Sequence, residues 1–380
     1  MRRFFLLAFI ICLTLHLQSQ SFDHFLKYLN SLPLEKRQSK TDSFFKATTR
    51  LPFMDSDSNC TIIWKGIAKE VKIAGDFTGW SPTLSMELIE GTDCWYHSTH
   101  FEPDARLDYK LVINGTDWIP DPTNPFICSG GFGSNSELRM PLWKSHPETS
   151  FNYIIAHGTL IDTVFRSSIM GNSRIVKIYL PAGYPETGKR YPLILFHDGP
   201  DYLGLAKAKN LLDNLITNKL IQPVIALFVE PIDRNEEYNG KLKDAFSSFI
   251  MKELMPYIDN HYETSMNPAQ RAMAGASSGG NISLYIGMKY PDLFGKIAAQ
   301  SSSVEEIISD TFLQSPKMNL NIYLDIGTYD IPRIIVWVRN LKNVLDQKGY
   351  SFQYHEWHEG HSWGNWRDHL ALPLIQFFAP

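Results

Sequence analysis

The sequence predicts two folded parts. Residues 59–140 read as an all-β sandwich of immunoglobulin-like type, and residues 151–380 as a mostly parallel α/β sheet with helices on both faces. Three observations carry this. The first part is a succession of short β-type runs broken by turn residues. The second alternates short, wholly apolar runs with helical patterns. Within the second, one glycine-flanked serine, Ser277, stands between such a run and such a helix.

Residues 1–21 read as a secretory signal peptide. Arg2 and Arg3 precede an apolar run from Phe4 to Leu17, and Ser19-Gln20-Ser21 supplies small residues for cleavage. The run is short for a bilayer span and is weakened by Thr14 and His16, and Ile11 before Cys12 is bulky where lipid attachment would want a small residue. The expectation is export, periplasmic or secreted, with no membrane span. Over residues 22–58 the pattern is helical, with Phe22, Phe25, Leu26 and Leu29 on one face.

In the sandwich region, Thr61–Trp64, Val71–Ala74, Cys94–His97 and Tyr109–Ile113 read as strands. Gly75-Asp76, Asn114-Gly115-Thr116 and the proline-rich stretch 120–125 read as turns. Cys60, Cys94 and Cys128 are odd in number and lack any C-x-x-C pair, which argues against zinc and predicts buried thiols or at most one bridge. Residues 141–150 serve as a linker.

From residue 151 the apolar runs Val176–Leu180, Leu193–Phe196, Val224–Val229, Ala272–Ala274, Ile297–Ala299 and Ile322–Leu324 have the character of strands buried on both faces. Helical patterns lie between them at 205–216, 245–262, 281–288 and 334–345, the alternation that builds a parallel sheet. Composition agrees with a folded chain, 44% hydrophobic and 20% charged, and a net charge of -4 with no basic run argues against nucleic-acid binding.

Gly275-Ala276-Ser277-Ser278-Gly279-Gly280 follows one strand and opens the next helix, which is the G-x-S-x-G nucleophile elbow of the α/β-hydrolase fold. Such an elbow calls for an acid and then a histidine later in the chain. Asp330 stands in the loop after the strand near 322–325, where α/β sheets assemble their chemistry. A helix N-cap is its plainer reading, and Asp325, inside the strand, is the competitor with a structural hydrogen bond as its expected role. Of the late histidines, His361 lies in a glycine-containing loop before the terminal helix. His355 and His358 read as packing or rim residues, and His369 as solvent-facing or capping. The roles that follow are Ser277 as nucleophile, His361 as general base and acid, and Asp330 as the group fixing the imidazole. One oxyanion donor is the N–H of Ser278. The other comes from the loop His197–Tyr202, where Pro200 has no N–H and leaves Gly199 or Asp201. Arg234 is a candidate for the substrate edge, against a structural pair with Glu237, and Tyr202 and Trp363 are candidate pocket residues, with Trp366 beside them. No cofactor or metal is called for.

His197-Asp198-Gly199, Asp233–Tyr238, Gly275–Gly280 and Gly360-His361-Ser362-Trp363 together resemble the putative-esterase family, in a branch similar to enterobactin (enterochelin) esterases that also contains feruloyl and acetyl-xylan esterases. The resemblance spans residues 151–380. It implies an α/β-hydrolase fold and hydrolysis of a small-molecule or glycan ester. In mycolyltransferase and enterobactin-esterase relatives the residue after the Asp-Gly pair is the second oxyanion donor, and here that residue is Pro200, so the carry-over fails. Residues 60–140 resemble the early-set sandwich that precedes glycogen-branching catalytic domains, in Gly75–Trp80, Tyr109–Gly115 and Trp118–Pro122. Trp80, Trp95 and Trp118 either stack on sugar rings or fill the sandwich core. Two other classes compete with the esterase reading: a non-catalytic carbohydrate-binding protein on an esterase scaffold, and a peptidase using the same triad.

Overall fold

The computed structural model describes residues 21–48, 51–131 and 133–380. The predicted leader, apart from Ser21, lies outside the described residues, as does Cys12. The chain divides into two compact units, Met1–Lys144 and Ser145–Pro380.

In the first unit, helices Phe22–Asn30 and Leu34–Ala47 lead into strands. Phe22, Phe25 and Leu29 are buried and pack with Ile63, Ile89 and Cys94. One antiparallel sheet joins Phe53–Met54, Asn59–Lys65, Cys94–His100 and Glu87–Leu88 in that order. In the other, Arg106–Ile113 pairs with Val71–Gly75 and with Gly133–Arg139. The helices fall in the segment expected to be helical, and they share one apolar cluster with strand residues of the sandwich region. Cys60, Cys94 and Cys128 are buried thiols with no bridge among them, and burial pushes the Cys94 thiol up to about 12. Trp95 is buried and donates from its indole to Gly66 O (3.2 Å), Trp80 donates to Asp76 Oδ1 (3.0 Å), and Trp118 is exposed.

The second unit is a mixed sheet. Its strands are β1 (Thr159–Ser167), β2 (Asn172–Leu180), β3 (Leu193–His197), β4 (Ile225–Val229), β5 (Arg271–Ala276), β6 (Lys296–Gln300), β7 (Asn321–Tyr329) and β8 (Ser351–Gly360). Their order is β1-β2-β4-β3-β5-β6-β7-β8. The first two pairings are antiparallel and every later one is parallel. The period-2 alternation of the central strands serves two cores. Ile194, Phe196, Ala226 and Phe228 face one cluster, and Leu193, Leu195, Ile225 and Leu227 the other. This is the physical reason the runs are apolar throughout.

The helices are α1 (Gly199–Gly204), α2 (Ala208–Thr217), α3 (Arg234–Tyr238), α4 (Lys243–Phe249), α5 (Met255–His261), α6 (Ser278–Lys289), α7 (Glu306–Gln314), α8 (Pro332–Gln347), α9 (Trp363–His369) and α10 (Ala371–Phe378). Several elements differ from the sequence expectation, among them the short helices α1 and α3, which lie outside the expected helical patterns. The pattern at 205–216 begins at Ala208, because Lys207 takes a left-handed φ of 55°. The pattern at 245–262 is two helices around a π turn at Ile250–Leu254, just before Pro256, which has no N–H to continue the ladder. Strand β1 and helix α7 were not expected. Strand β1 sits at the sheet edge, with Val164 exposed, so its pattern is not the buried run of the central strands.

The end of β3 carries an unusual buried group. His197 is fully buried, neither ring nitrogen has a hydrogen-bond partner, and Tyr238 and Phe246 rings lie 5.5 and 5.9 Å away. Burial, aided by the charge of Arg234, pushes its pKa down to about 3. The unfolded chain then takes up this proton at a higher pH than the fold does. Stability is full above about pH 6.5 and declines as pH falls toward 3. At pH 4.5 the loss from this one group is about 3 kcal/mol. His197→Phe, which forfeits no hydrogen bond, is expected to flatten that part of the curve, checked by urea midpoints between pH 7 and 4.5.

Candidate active site

The site is built where β3, β5, β6, β7 and β8 end. The turn from β5 to α6 brings Ser277 into a backbone conformation of φ 54° and ψ −120°, costly for a side-chain-bearing residue and sustained only by its surroundings. Its neighbours explain why they are small. A Cβ on Gly275 would lie 2.1 Å from Gly279 O, and one on Gly280 would lie 2.9 Å from Ser302 Cβ. The Ser277 N–H donates to Gln300 O (2.9 Å), and its carbonyl accepts from Asn281 N (3.1 Å) and Ser303 N (3.1 Å). These bonds hold the strain in place. Ser277 itself is half-buried.

His361 follows the end of β8, and its Nδ1 lies 2.8 Å from Asp330 Oδ1. The Asp330 side chain is buried and also accepts from the Ile331 N–H (2.6 Å); the N-cap of α8 is Ile331 and no side chain caps it, so the plainer N-cap reading of Asp330 is not met. With Nδ1 donating to the carboxylate, Nε2 is the nitrogen left to exchange a proton. The Trp366 ring stands edge-on to the imidazole at 5.0 Å.

Gln300, which the sequence reading passed over, ties these parts together. Its backbone carbonyl holds Ser277. Its side-chain oxygen accepts from Tyr202 Oη (3.2 Å), and its Nε2 donates to Trp366 O (3.0 Å) and Asp325 Oδ2 (3.3 Å). A polar residue closing an otherwise apolar strand run was the one available signal. Asp325 is buried and also accepts from Tyr323 Oη (3.1 Å) and Ser301 N (3.2 Å). Burial nevertheless raises it to about 6. This is a structural group, as expected.

The first turn of α1 separates the two oxyanion candidates. The Asp201 N–H donates to Asp198 O at 3.0 Å, whereas no hydrogen bond among the described residues engages the Gly199 N–H. A Cβ on Gly199 would lie 2.3 Å from Phe228 C, so only glycine fits against β4 there. Ser278 is the first residue of α6, where N–H groups have no partner within the helix.

Other assignments need correction. Tyr202 is wholly buried among Phe196 and Trp363, with its hydroxyl spent on Gln300, and is no pocket wall. Trp363 is also buried, packed on Tyr202 and Trp366. Arg234 does not pair with Glu237, which accepts from Arg174 (2.9 and 3.0 Å) and from the Ile232 N–H (3.3 Å). Instead it grips Asp198, Nε to Oδ1 at 2.8 Å and Nη2 to Oδ2 at 2.9 Å, with Nη2 3.4 Å from Ala276 O. His369 is neither solvent-facing nor capping. It is buried, stacks on Trp357 at 3.9 Å, and its Nε2 lies 2.8 Å from Glu359 Oε1. His355 packs on the other side of the stack, 5.1 Å from Trp357. Among the described residues no group of three or more His, Cys, Asp or Glu is arranged to hold a metal ion, and no helix is long and apolar enough to cross a membrane.

The His369–Glu359 pair braces the strand end from which His361 projects. Burial would lower the His369 pKa, but the hydrogen bond and charge of Glu359, with Asp325 and Asp368, outweigh it and raise the value. Stability from this pair is therefore full below the ordinary 6.5 and is lost as pH rises through the raised value. The ring protons of His369 should titrate above 6.5 by NMR, and Glu359→Gln should bring that titration down.

The model of the family described as Putative esterase matches residues 167–377. The chain is 28% identical over 241 residues to the endo-1,4-beta-xylanase/feruloyl esterase of Xylanibacter ruminicola, covering 60% of this chain and 32% of that one. It is 26% identical over 256 residues to the iron(III) enterobactin esterase of Escherichia coli O6:H1, covering 59% and 61%. The match thus spans about a third of the first relative's length and under two thirds of the second's. In three dimensions it is similar to the enterobactin esterase FES of Shigella flexneri, solved in the presence of enterobactin, with a TM-score of 0.74 at 23% identity over 88% of this chain and 97% of that one.

Proposed function

The chain belongs to the Putative esterase family, and from that premise we propose an exported serine carboxylic-ester hydrolase that works through an acyl-enzyme. The observations that support the serine mechanism are the 2.8 Å contact of Asp330 with His361 and the elbow that holds Ser277 at positive φ. Ser277 attacks the ester carbonyl while His361 takes its proton at Nε2 and then delivers it to the departing alkoxide. Asp330 keeps the imidazole in the tautomer this requires and stabilises its charged form. The N–H groups of Ser278 and Gly199 receive the oxyanion. Water, deprotonated by the same histidine, then releases the acid and regenerates the hydroxyl.

The substrate is an ester with a bulky acyl or hydroxy-acid part. Similarity to the enterobactin esterases supports a siderophore lactone, and similarity to the feruloyl esterase supports a hydroxycinnamoyl or acetyl ester of plant-wall carbohydrate. Export rests on the leader-like residues 1–21, and the early-set sandwich on the motifs of residues 60–140.

Ser277→Ala should lower kcat on a p-nitrophenyl ester by at least about 1000-fold with the fold intact, and Asp330→Asn by about 1000-fold or more. A fluorophosphonate should label wild type stoichiometrically at Ser277. Folded protein that takes no label would instead favour the carbohydrate-binding alternative. Methyl ferulate, acetylated xylan and a catecholate trilactone, compared on the purified protein, decide between the substrate classes.

A further inference from the structure

Arg234 and Asp198 form a joint that the mechanism above does not use. Asp198 ends the β3 loop in the left-handed conformation, φ 55° and ψ 44°, and Gly199 follows it directly. Both of its carboxylate oxygens are taken by the Arg234 fork. The same guanidinium reaches Ala276 O, one residue before Ser277. On its other side the carboxylate lies against the first turn of α6, since a Cβ on Gly279 would fall 2.8 Å from Asp198 Oδ2. The Asp198 N–H is fixed as well, donating to Tyr238 Oη at 3.0 Å, and the Arg234 guanidinium lies over that same tyrosine ring at 5.5 Å. Three chain segments therefore meet at one ion pair: the loop before Gly199, the elbow before Ser278, and α3.

We propose that Arg234 and Asp198 are positioning residues that set the distance between the Gly199 and Ser278 N–H groups, and so shape the oxyanion hole. The inference rests on the serine-esterase reading. Its physical basis is that the two donors belong to different loops. No backbone hydrogen bond among the described residues joins Gly199 to Ser278, so their spacing is fixed by what clamps the loops together. A bidentate fork defines distance and angle at once, which a single ammonium contact does not. The alternative, in which Arg234 binds an anionic group of the substrate, would have to use Nη1 alone, on a side chain that is 40% exposed. Here the Nε and Nη2 donors are committed to Asp198, whose charge balances that of the arginine.

An oxyanion donor acts on the tetrahedral state and not on the bound ester, so misplacing one lowers kcat with little change in KM. The test measures kcat and KM on an uncharged ester, and the affinity of a trifluoromethyl ketone that forms a tetrahedral adduct with Ser277. The variants are Arg234→Met, Arg234→Lys, Asp198→Asn and the double Arg234→Met/Asp198→Asn, each checked by thermal unfolding. Deleting an oxyanion donor outright costs about 100- to 1000-fold, so loosening one should cost about 10- to 100-fold in kcat, with KM within about threefold. Ketone affinity should fall by the same factor as kcat/KM, Arg234→Lys should recover only part of the loss, and the double variant should be no worse than the worse single.

Unchanged kcat and ketone affinity in folded Arg234→Met would overturn the proposal. So would a rise in KM confined to anionic esters, which would make Arg234 a ligand for substrate charge. Should Arg234→Met not fold, Asp198→Asn keeps the volume and carries the same two readouts. Ser277→Ala is assayed alongside. If it retains wild-type turnover, the serine-esterase reading falls and the positioning proposal with it. If it loses turnover while the clamp variants do not, only the positioning proposal falls.

Discussion

The buried amide of Gln300 is the constraint on which the catalytic end of the sheet depends. A polar side chain in an apolar interior must find partners or cost roughly 1–3 kcal/mol for each group left unmet. Gln300 meets this by reaching to the helix after β3 through Tyr202, to the terminal helices through Trp366 and to β7 through Asp325. Its backbone holds the strained serine. Each of these bonds lies in a low-dielectric setting where rearrangement would strand a donor or acceptor, so the loops have few alternative arrangements. The strain at Ser277 persists because the elbow is determined from several sides at once, by the close approach of Gly275 to Gly279 and by the carbonyl of Gln300.

The parts of this molecule that could be read from the sequence are those whose physics is local. Central strands buried on both faces must be apolar at every position, so β3 and β4 show themselves as unbroken runs. The elbow is legible because its steric demands fall on residues within five positions of one another. What stayed hidden depends on partners distant in the chain. For Arg234 the sequence offers a substrate edge or a pair with Glu237 three residues on, whereas its partner Asp198 lies 36 residues back and Glu237 is bound by Arg174, 63 residues away. Tyr202 sits in α1, just after the end of β3, but sequence cannot tell which way a side chain turns, and this one turns inward. His369 was misplaced for the opposite reason. A histidine in a short helix of mixed polarity reads as surface, and only the return of β8 beside it supplies Glu359 and Trp357.

In the first unit a comparable polar interior replaces what the tryptophans were expected to do. Arg106 is fully buried and donates to Glu137 Oε1 (2.8 Å) and Asp108 Oδ1 (3.0 Å). Burial opposes the charge on Glu137, but Arg106 and Arg139 outweigh it and hold the carboxyl down at about 2. At Asp76 the pull of the Arg106 charge is outweighed. Burial and the charge of Asp108 drive it up, and it accepts from the Asp108 N–H (2.8 Å) and the Trp80 indole. Trp80 is thereby pinned at a turn where its own φ is 61°. Trp95 is buried and pinned to Gly66, just past the strand it pairs with, whereas Trp118 is exposed. Three aromatic residues that look alike in sequence thus have three different surroundings, and a shared stacking platform is not what their placement gives.

Pro200 is a local departure from the pattern that the resemblance implies, and the proposed oxyanion hole has to accommodate it. If the hole were defined by position alone, the missing N–H of Pro200 would remove one of its donors. The helix that begins at Gly199 sets a different requirement. Its first residues have N–H groups that the helix cannot use, and a proline near the start removes a donor that would have lacked a partner within the helix. Asp201 and Tyr202 close the turn onto Asp198 O and are spent. Among the residues after β3 this leaves Gly199, whose missing side chain also lets its backbone lie against β4. For the oxyanion hole proposed above, the geometry that starts the helix therefore leaves Gly199 as the candidate donor on this side.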